Sequence, residues 1–175
     1  MGVISMRVLG LWVGLFMLVL PAHAEVRDPY GHFFDPKMGD LQSDLQAARQ
    51  EGKAGILLMF EYDDCPFCLR MKNTVLNQSE VQDFYRKHFV SFPIDVKGDT
   101  ALVDFQGRQT TEKLFALEQR ARATPVFVFY DGAGQTVARY TGATKDVAEF
   151  MLLGRYVVEG KYREMPFAVY KRQAR

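Results

Sequence analysis

Two cysteines, Cys65 and Cys68, are the residues of this chain whose type and spacing most clearly suggest chemistry. They are the only cysteines in the sequence. A disulfide between them would close a very short loop, and the stabilisation that a disulfide gives grows with the length of the loop it closes. The pair is therefore a poor structural crosslink. It is well suited to reversible thiol–disulfide exchange, in which a thiolate attacks a disulfide.

The cysteine pair follows a predicted strand and opens a predicted helix. Residues 55–62 form a continuous apolar run, typical of a strand covered on both faces. Pro66 then occupies a favourable first helical position. The start of a helix offers free N–H groups and a partial positive charge, and both favour a thiolate. We therefore assign Cys65 as the exposed nucleophile and Cys68 as the resolving thiol, which attacks the mixed disulfide from the same turn.

Two other interpretations of the pair remain open. Paired cysteines can form half of a zinc site, but a structural zinc ion takes about four ligands. Beyond residue 24 the only histidines are His32 and His88, and neither forms a second paired motif. The sequence therefore predicts no metal. The second alternative is that both cysteines are inert core residues, because free cysteine is often buried.

The rest of the chain predicts an α/β fold with a central mixed sheet of about four or five strands and helices on both faces. A helix is predicted near residues 111–120, with Leu114, Leu117 and Ala121 on one face, which we expect to be buried. Thr144 is predicted to cap the last helix of the domain. Apolar spacing and turn signals predict helices at residues 39–50, 66–76, 79–88, 111–120 and 144–158, and strands at 55–62, 89–96, 126–130 and 135–140.

Residues 1–24 have the pattern of a secretory signal peptide. Arg7 is followed by an apolar stretch over residues 8–20, and Ala22-His23-Ala24 offers a small-x-small cleavage site. The apolar stretch is shorter than the roughly 20 residues that a membrane span needs. We therefore predict cleavage and a periplasmic location, with an uncleaved anchor facing the periplasm as the alternative.

Length and charge bound the remaining possibilities. A chain of 175 residues suits one domain, which we place at residues 39–160, after an irregular lead-in at 25–38 and before a basic tail at 161–175. The formal net charge is +1, whereas nucleic-acid binding needs a surplus of Lys and Arg. We predict a monomer with no nucleic-acid partner.

Thr124-Pro125 is the second notable feature, because it directly precedes the β-prone run 126–130. A proline in a sheet belongs at the start of a strand or on an edge. Only about 5–6% of X–Pro bonds in folded proteins are cis. The sequence physics alone therefore does not predict a cis bond here.

The order of these features resembles the thioredoxin superfamily over about residues 39–158. A buried strand, Cys65-Pro66-Phe67-Cys68, a helix, and Thr124-Pro125 ahead of a hairpin carry the resemblance, and residues 60–68 resemble the exported thioredoxin-related proteins of the SoxW type. The resemblance implies that Pro125 is cis and faces the cysteines. It also implies that Thr124 pairs with an incoming peptide, and that Pro66 and Phe67 help to position the substrate.

The acid that assists the second cysteine in thioredoxin is displaced in this chain. Thioredoxin has a buried acid six positions before its first cysteine, where this sequence has Met59. Glu61 lies two residues further on and therefore on the same side of the strand. Glu61 is a candidate proton relay to Cys68, with an exposed charge at the strand end as the alternative.

Together these features predict a periplasmic thiol–disulfide oxidoreductase that acts on protein disulfides through Cys65 and Cys68, with no other cofactor. The SoxW resemblance implies a reductant, with a membrane thiol-electron transporter as the candidate electron source. Two alternatives remain. One is a non-catalytic binding module or chaperone on the same scaffold. The other is a glutathione-linked reductase, because Cys-Pro-aromatic-Cys also resembles glutaredoxins.

Overall fold

The computed structural model describes Gly2 and residues 25–174. The predicted signal peptide therefore lies, apart from Gly2, outside the described residues. The strands are β1 (Gly55–Glu61), β2 (Phe89–Asp95), β3 (Ala101–Val103), β4 (Gln109–Thr111), β5 (Val126–Asp131) and β6 (Thr136–Thr141). The helices are α1 (Pro29–His32), α2 (Leu41–Gln50), α3 (Pro66–Thr74), α4 (Ser79–His88), α5 (Glu112–Glu118), α6 (Val147–Val158) and α7 (Phe167–Gln173), with a 3-10 turn at Lys161–Arg163.

The central sheet has four strands in the order β2-β1-β5-β6. Strand β1 runs parallel to β2 and antiparallel to β5, which in turn pairs antiparallel with β6. Every residue of β1 is buried, as the continuous apolar run predicts for a central strand. Strand β2 forms one edge, and its Pro93 stands where a proline removes no hydrogen bond from the interior of the sheet.

The alternation of side chains along β1 divides the core between the two faces of the sheet. Leu57 and Met59 pack on the face that also holds the two cysteines and residues of α4 and α6. Ile56 and Leu58 pack on the opposite face with residues of α2 and α5. The thioredoxin-like α/β fold with helices on both faces is therefore confirmed.

The segments on either side of the predicted domain contribute to the packed structure. In the lead-in, helix α1 is followed by Phe33 and Phe34, which are 0% and 4% exposed. Burying a side chain of this size contributes roughly 1.5–3 kcal/mol. At the other end of the chain, α7 places Phe167 against Tyr140 and Tyr156. The lead-in, predicted to be irregular, thus supplies part of the core.

Helix α5 presents a different face from the predicted one. Leu114 and Leu117 are 52% and 63% exposed, whereas Phe115 is buried. Ala121, just after the helix, is buried as expected, but the buried residues of α5 itself are Glu112, Phe115 and Ala116. The Glu112 carboxylate pairs with the Lys37 ammonium and accepts the N–H of Asp95 at 2.9 Å.

Thr144, the predicted cap of the last helix of the domain, does not cap it. Helix α6 is capped by Asp146, whose carboxylate accepts the N–H of Glu149, while the hydroxyl of Thr144 donates to the sulfur of Met71. Helix α4 spans the predicted residues 79–88, with Gln78 at its N-cap. The β3–β4 hairpin, in the long connection before α5, was not predicted.

Candidate active site

Cys65 and Cys68 are joined by a disulfide at the start of α3. Cys65 is the N-cap residue of this helix, and its Sγ accepts the N–H of Cys68 at 3.2 Å. The site thus has the arrangement that the sequence predicted, in which a buried strand delivers a cysteine to the positive end of a helix. In the dithiol state the same N–H and helix end would favour a thiolate at Cys65.

The side chain of Thr124 contacts Cys65, although the two residues are far apart in the sequence. Its Oγ1 lies 3.2 Å from the Sγ of Cys65 and donates a hydrogen bond to it. The Thr124–Pro125 peptide bond is cis, as the family resemblance implies. The fold therefore brings together two motifs that are 59 positions apart.

Glu61 is the last residue of β1 and is only 7% exposed. Its Oε2 lies 2.6 Å from the Nζ of Lys72, and its Oε1 accepts a hydrogen bond from the hydroxyl of Tyr30 at 3.5 Å. Burial raises the pKa of this carboxyl, and the Lys72 ammonium acts in the opposite direction. The alternative that described Glu61 as an exposed charge at the strand end is therefore wrong.

A sequence model described as a thioredoxin-like domain matches residues 41–157. The chain belongs to the thioredoxin-like family. This match covers the central sheet, the cysteine pair and the cis bond. A search of curated proteins finds no match.

Solved structures show the same fold in other thioredoxin-like proteins. A thioredoxin-fold protein from Helicobacter pylori superposes with a TM-score of 0.60 at 20% identity, over 67% of this chain and 82% of that one. A thioredoxin from Thermus thermophilus gives 0.52 at 28% identity, over 66% and 82% of the two chains. A DsbH oxidoreductase gives 0.51 at 20% identity, over 66% and 78%.

The two cysteines of this thioredoxin-like domain are less accessible than expected. Cys65 is 2% exposed and Cys68 is 1% exposed, so the prediction of an exposed Cys65 is wrong for the disulfide form. The turn of α3 and the Thr124 hydroxyl occupy the space around the Cys65 sulfur. Pro66 and Phe67 are exposed instead, and Phe67 retains 60% of its surface. These two residues form the part of the motif that a partner can touch.

Three contributors to the site were missed by sequence reasoning. The first is the Thr124 hydroxyl, since the resemblance pointed only to its backbone. The second is Lys72, which lies four residues after Cys68 and therefore on the same face of α3, a spacing that was visible in the sequence. The third is Tyr30, which comes from the lead-in and carries no local signal of its contact with Glu61.

The described residues hold no group of three or more His, Cys, Asp or Glu side chains arranged to bind a metal ion. No helix within residues 25–174 is both long enough and apolar enough to cross a membrane.

Proposed function

We propose that this thioredoxin-like protein is a periplasmic thiol–disulfide oxidoreductase that reduces disulfides in partner proteins. One observation carries the proposal. The Cys65–Cys68 disulfide sits at a helix start, and the Cys65 sulfur accepts hydrogen bonds from both the Cys68 N–H and the Thr124 hydroxyl. A sulfur with two such donors is prepared to carry negative charge, which a merely structural crosslink does not require.

The reaction has two exchange steps. The Cys65 thiolate attacks one sulfur of the partner disulfide, and the other partner sulfur leaves as a thiolate that takes up a proton. Cys68 then loses its proton and attacks the Cys65 sulfur, so that the second partner sulfur leaves as a thiolate and is protonated. The dithiol has become a disulfide, and the partner disulfide has become two thiols.

Glu61 is the group we propose as acceptor of the Cys68 proton. It is buried at the end of β1, on the same side of the strand as Met59, which packs with the cysteines, and a buried carboxylate with a raised pKa is a candidate general base. Thr124 and Pro125 would pair with the backbone of the partner, while Pro66 and Phe67 would contact its side chains. These roles follow from the family resemblance and from the exposure of the motif.

Residues 1–24 and the SoxW resemblance bear on the location of the protein and on the direction of exchange. The signal-like pattern of residues 1–24 supports export, and the SoxW resemblance supports a reductant supplied by a membrane thiol-electron transporter. Among the similar structures, one is named an oxidoreductase and another a thioredoxin. In the periplasm such a reductant must receive electrons across the membrane, because the compartment is kept oxidising.

The decisive experiment combines insulin reduction with trapping of partners. With dithiothreitol as electron source, we expect the wild-type chain to accelerate insulin precipitation and Cys65→Ala to give the rate of the reagent alone. Cys68→Ala should retain the first attack and hold partner proteins covalently on Cys65, where they can be identified from a periplasmic extract. Cys65→Ala is the matched control for trapping.

The same experiment separates the alternatives. Insulin reduction at the reagent rate together with an empty trap would contradict the proposed function and favour a non-catalytic binding module. Turnover of a mixed disulfide that depends on glutathione, with no activity on insulin, would favour the glutaredoxin-like alternative.

A further inference from the structure

We propose that Tyr30 and Lys72 are positioning residues that hold Glu61 as a carboxylate on the sheet face that carries Cys68, so that the lead-in takes part in the resolving step. This inference rests on the proposed function. It assigns a role in the chemistry to a segment that precedes the matched thioredoxin-like domain, which begins at residue 41.

Lys72 links the acid to the second cysteine through the geometry of α3. Cys68 and Lys72 are four residues apart on this helix, so their side chains lie on one face, one turn apart. The Lys72 ammonium is 2.6 Å from Glu61 Oε2, and both side chains are about nine-tenths buried. The lysine of this buried ion pair therefore lies one helical turn after the resolving cysteine.

Tyr30 contacts both members of this ion pair, so that three side chains form one network. Its hydroxyl accepts a hydrogen bond from the Lys72 ammonium and donates one to Glu61 Oε1. Its ring also lies beneath the same ammonium, with Nζ 4.7 Å from the ring centroid. Tyr30 is 57% exposed, and its ring packs against the buried Phe34, with the ring centroids 5.7 Å apart.

The balance of charge around Glu61 explains why the network is needed. Burial favours the neutral acid, and the nearby carboxylate of Asp63 acts in the same direction, raising the pKa of Glu61. Lys72 and Tyr30 oppose both effects. Asp95 is the partner of Glu61 in the β1–β2 register and adds a further acidic neighbour. Loss of Lys72 would therefore raise the pKa of Glu61 further and favour its carboxylate less, and the carboxylate is the form that can accept a proton from Cys68.

The chemical consequence is confined to the second exchange step. The Cys68 proton moves to the Glu61 carboxylate as Cys68 attacks the Cys65 sulfur, and the departing partner thiolate is protonated from solvent. Glu61 then returns its proton to water. The first attack, by Cys65, does not use Glu61, so loss of the network should slow resolution and leave the first attack unchanged.

The test follows the two steps separately by rapid mixing of the reduced protein with a limiting amount of a chromogenic aromatic disulfide across a range of pH. The first release of chromophore reports attack by Cys65, and the second reports resolution by Cys68. For Lys72→Gln we expect resolution at neutral pH to slow about tenfold, with its pH midpoint moved upward by about one unit. For Tyr30→Phe, which keeps the ring, we expect a shift in the same direction and a slowing of about threefold.

The controls distinguish positioning from a general structural effect. Lys72→Arg should restore most of the resolution rate. Lys97→Gln removes a lysine that lies over the Tyr62 ring and should leave both phases at wild-type values. In a Glu61→Gln background, Tyr30→Phe should have no further effect, because Tyr30 acts through Glu61.

Two results would overturn the inference. One is that the resolution rate depends on pH in both Tyr30→Phe and Lys72→Gln as it does in the wild-type protein. The other is an effect of Tyr30→Phe on the resolution rate that is as large in the Glu61→Gln background as in the wild-type protein. Absence of any exchange by the wild-type protein would instead overturn the proposed function, so the two failures are distinguishable.

Discussion

The Cys65 sulfur is surrounded by donors that come from different parts of the chain. The Cys68 N–H comes from its own helix, and the Thr124 hydroxyl comes from the loop before β5, each at 3.2 Å. A hydrogen bond to a charged group contributes more than one to a neutral group. The Thr124 hydroxyl should therefore matter most when Cys65 is a thiolate, and thus in the attack on the partner.

We predict that Thr124→Val slows the attack by Cys65 about tenfold, since a hydrogen bond to a charged group contributes about 1.5–3 kcal/mol and the site is partly open to water. Valine keeps the shape of threonine and removes the donor. Thr124→Ser keeps the donor and should stay within about twofold of wild type. The measurement is the first phase of reaction with a chromogenic disulfide, and an unchanged rate in Thr124→Val would show that the hydroxyl does not assist the thiolate.

At the scale of elements, β1 is the strand that positions the chemistry, because Glu61 ends it and Cys65 follows. Its first residue, Gly55, lies against the neighbouring β5. Gly55 has φ +153°, and a Cβ at this position would stand 1.9 Å from the carbonyl oxygen of Tyr130. Only glycine fits so close to a strand backbone.

We therefore predict that Gly55→Ala lowers the free energy of unfolding by about 3 kcal/mol, because the central pair of strands must separate to admit the methyl group. Urea unfolding measures this loss. Gly132→Ala is the matched control, since its nearest neighbour is the flexible Arg49 side chain at 3.6 Å, and it should change stability by less than about 0.5 kcal/mol. Equal stability of the two variants would contradict the predicted clash.

The sequence predicted those elements whose signals are local. The apolar run of β1, the cysteines at a helix start and the β5–β6 hairpin each carry their pattern within a few residues, and all were found. The buried face of α5 was missed because it includes a charged residue, Glu112, whose partner Lys37 lies 75 positions away in the lead-in. Tyr30 was missed for the same reason, since its contact with Glu61 joins positions 31 apart in the sequence. The short strands β3 and β4 are too brief and polar to show a period.

At the scale of the whole molecule, the direction of exchange is a question of relative stability. The reduction potential of the cysteine pair depends on the difference between the free energies of unfolding of the oxidised and the reduced chain. The two donors on Cys65 stabilise the thiolate and so favour the reduced form. Asp63 and Asp64, both exposed directly before Cys65, repel a thiolate and favour the disulfide. Burial of both cysteines in an apolar cluster also favours the uncharged disulfide.

We predict that the effects of Asp63, Asp64 and burial outweigh the two hydrogen bonds to Cys65, as a reductant requires. The free energy of unfolding of the oxidised chain should then be about 1–3 kcal/mol higher than that of the reduced chain. Each 1.4 kcal/mol of this difference corresponds to about 30 mV in the two-electron potential. Urea unfolding of the two forms, with dithiothreitol present for one, measures the difference. Asp63→Asn combined with Asp64→Asn should narrow it, because the thiolate of the reduced form then loses its two acidic neighbours. A reduced form more stable than the oxidised form would identify the chain as a donor of disulfides, with the cysteine chemistry unchanged and its direction reversed.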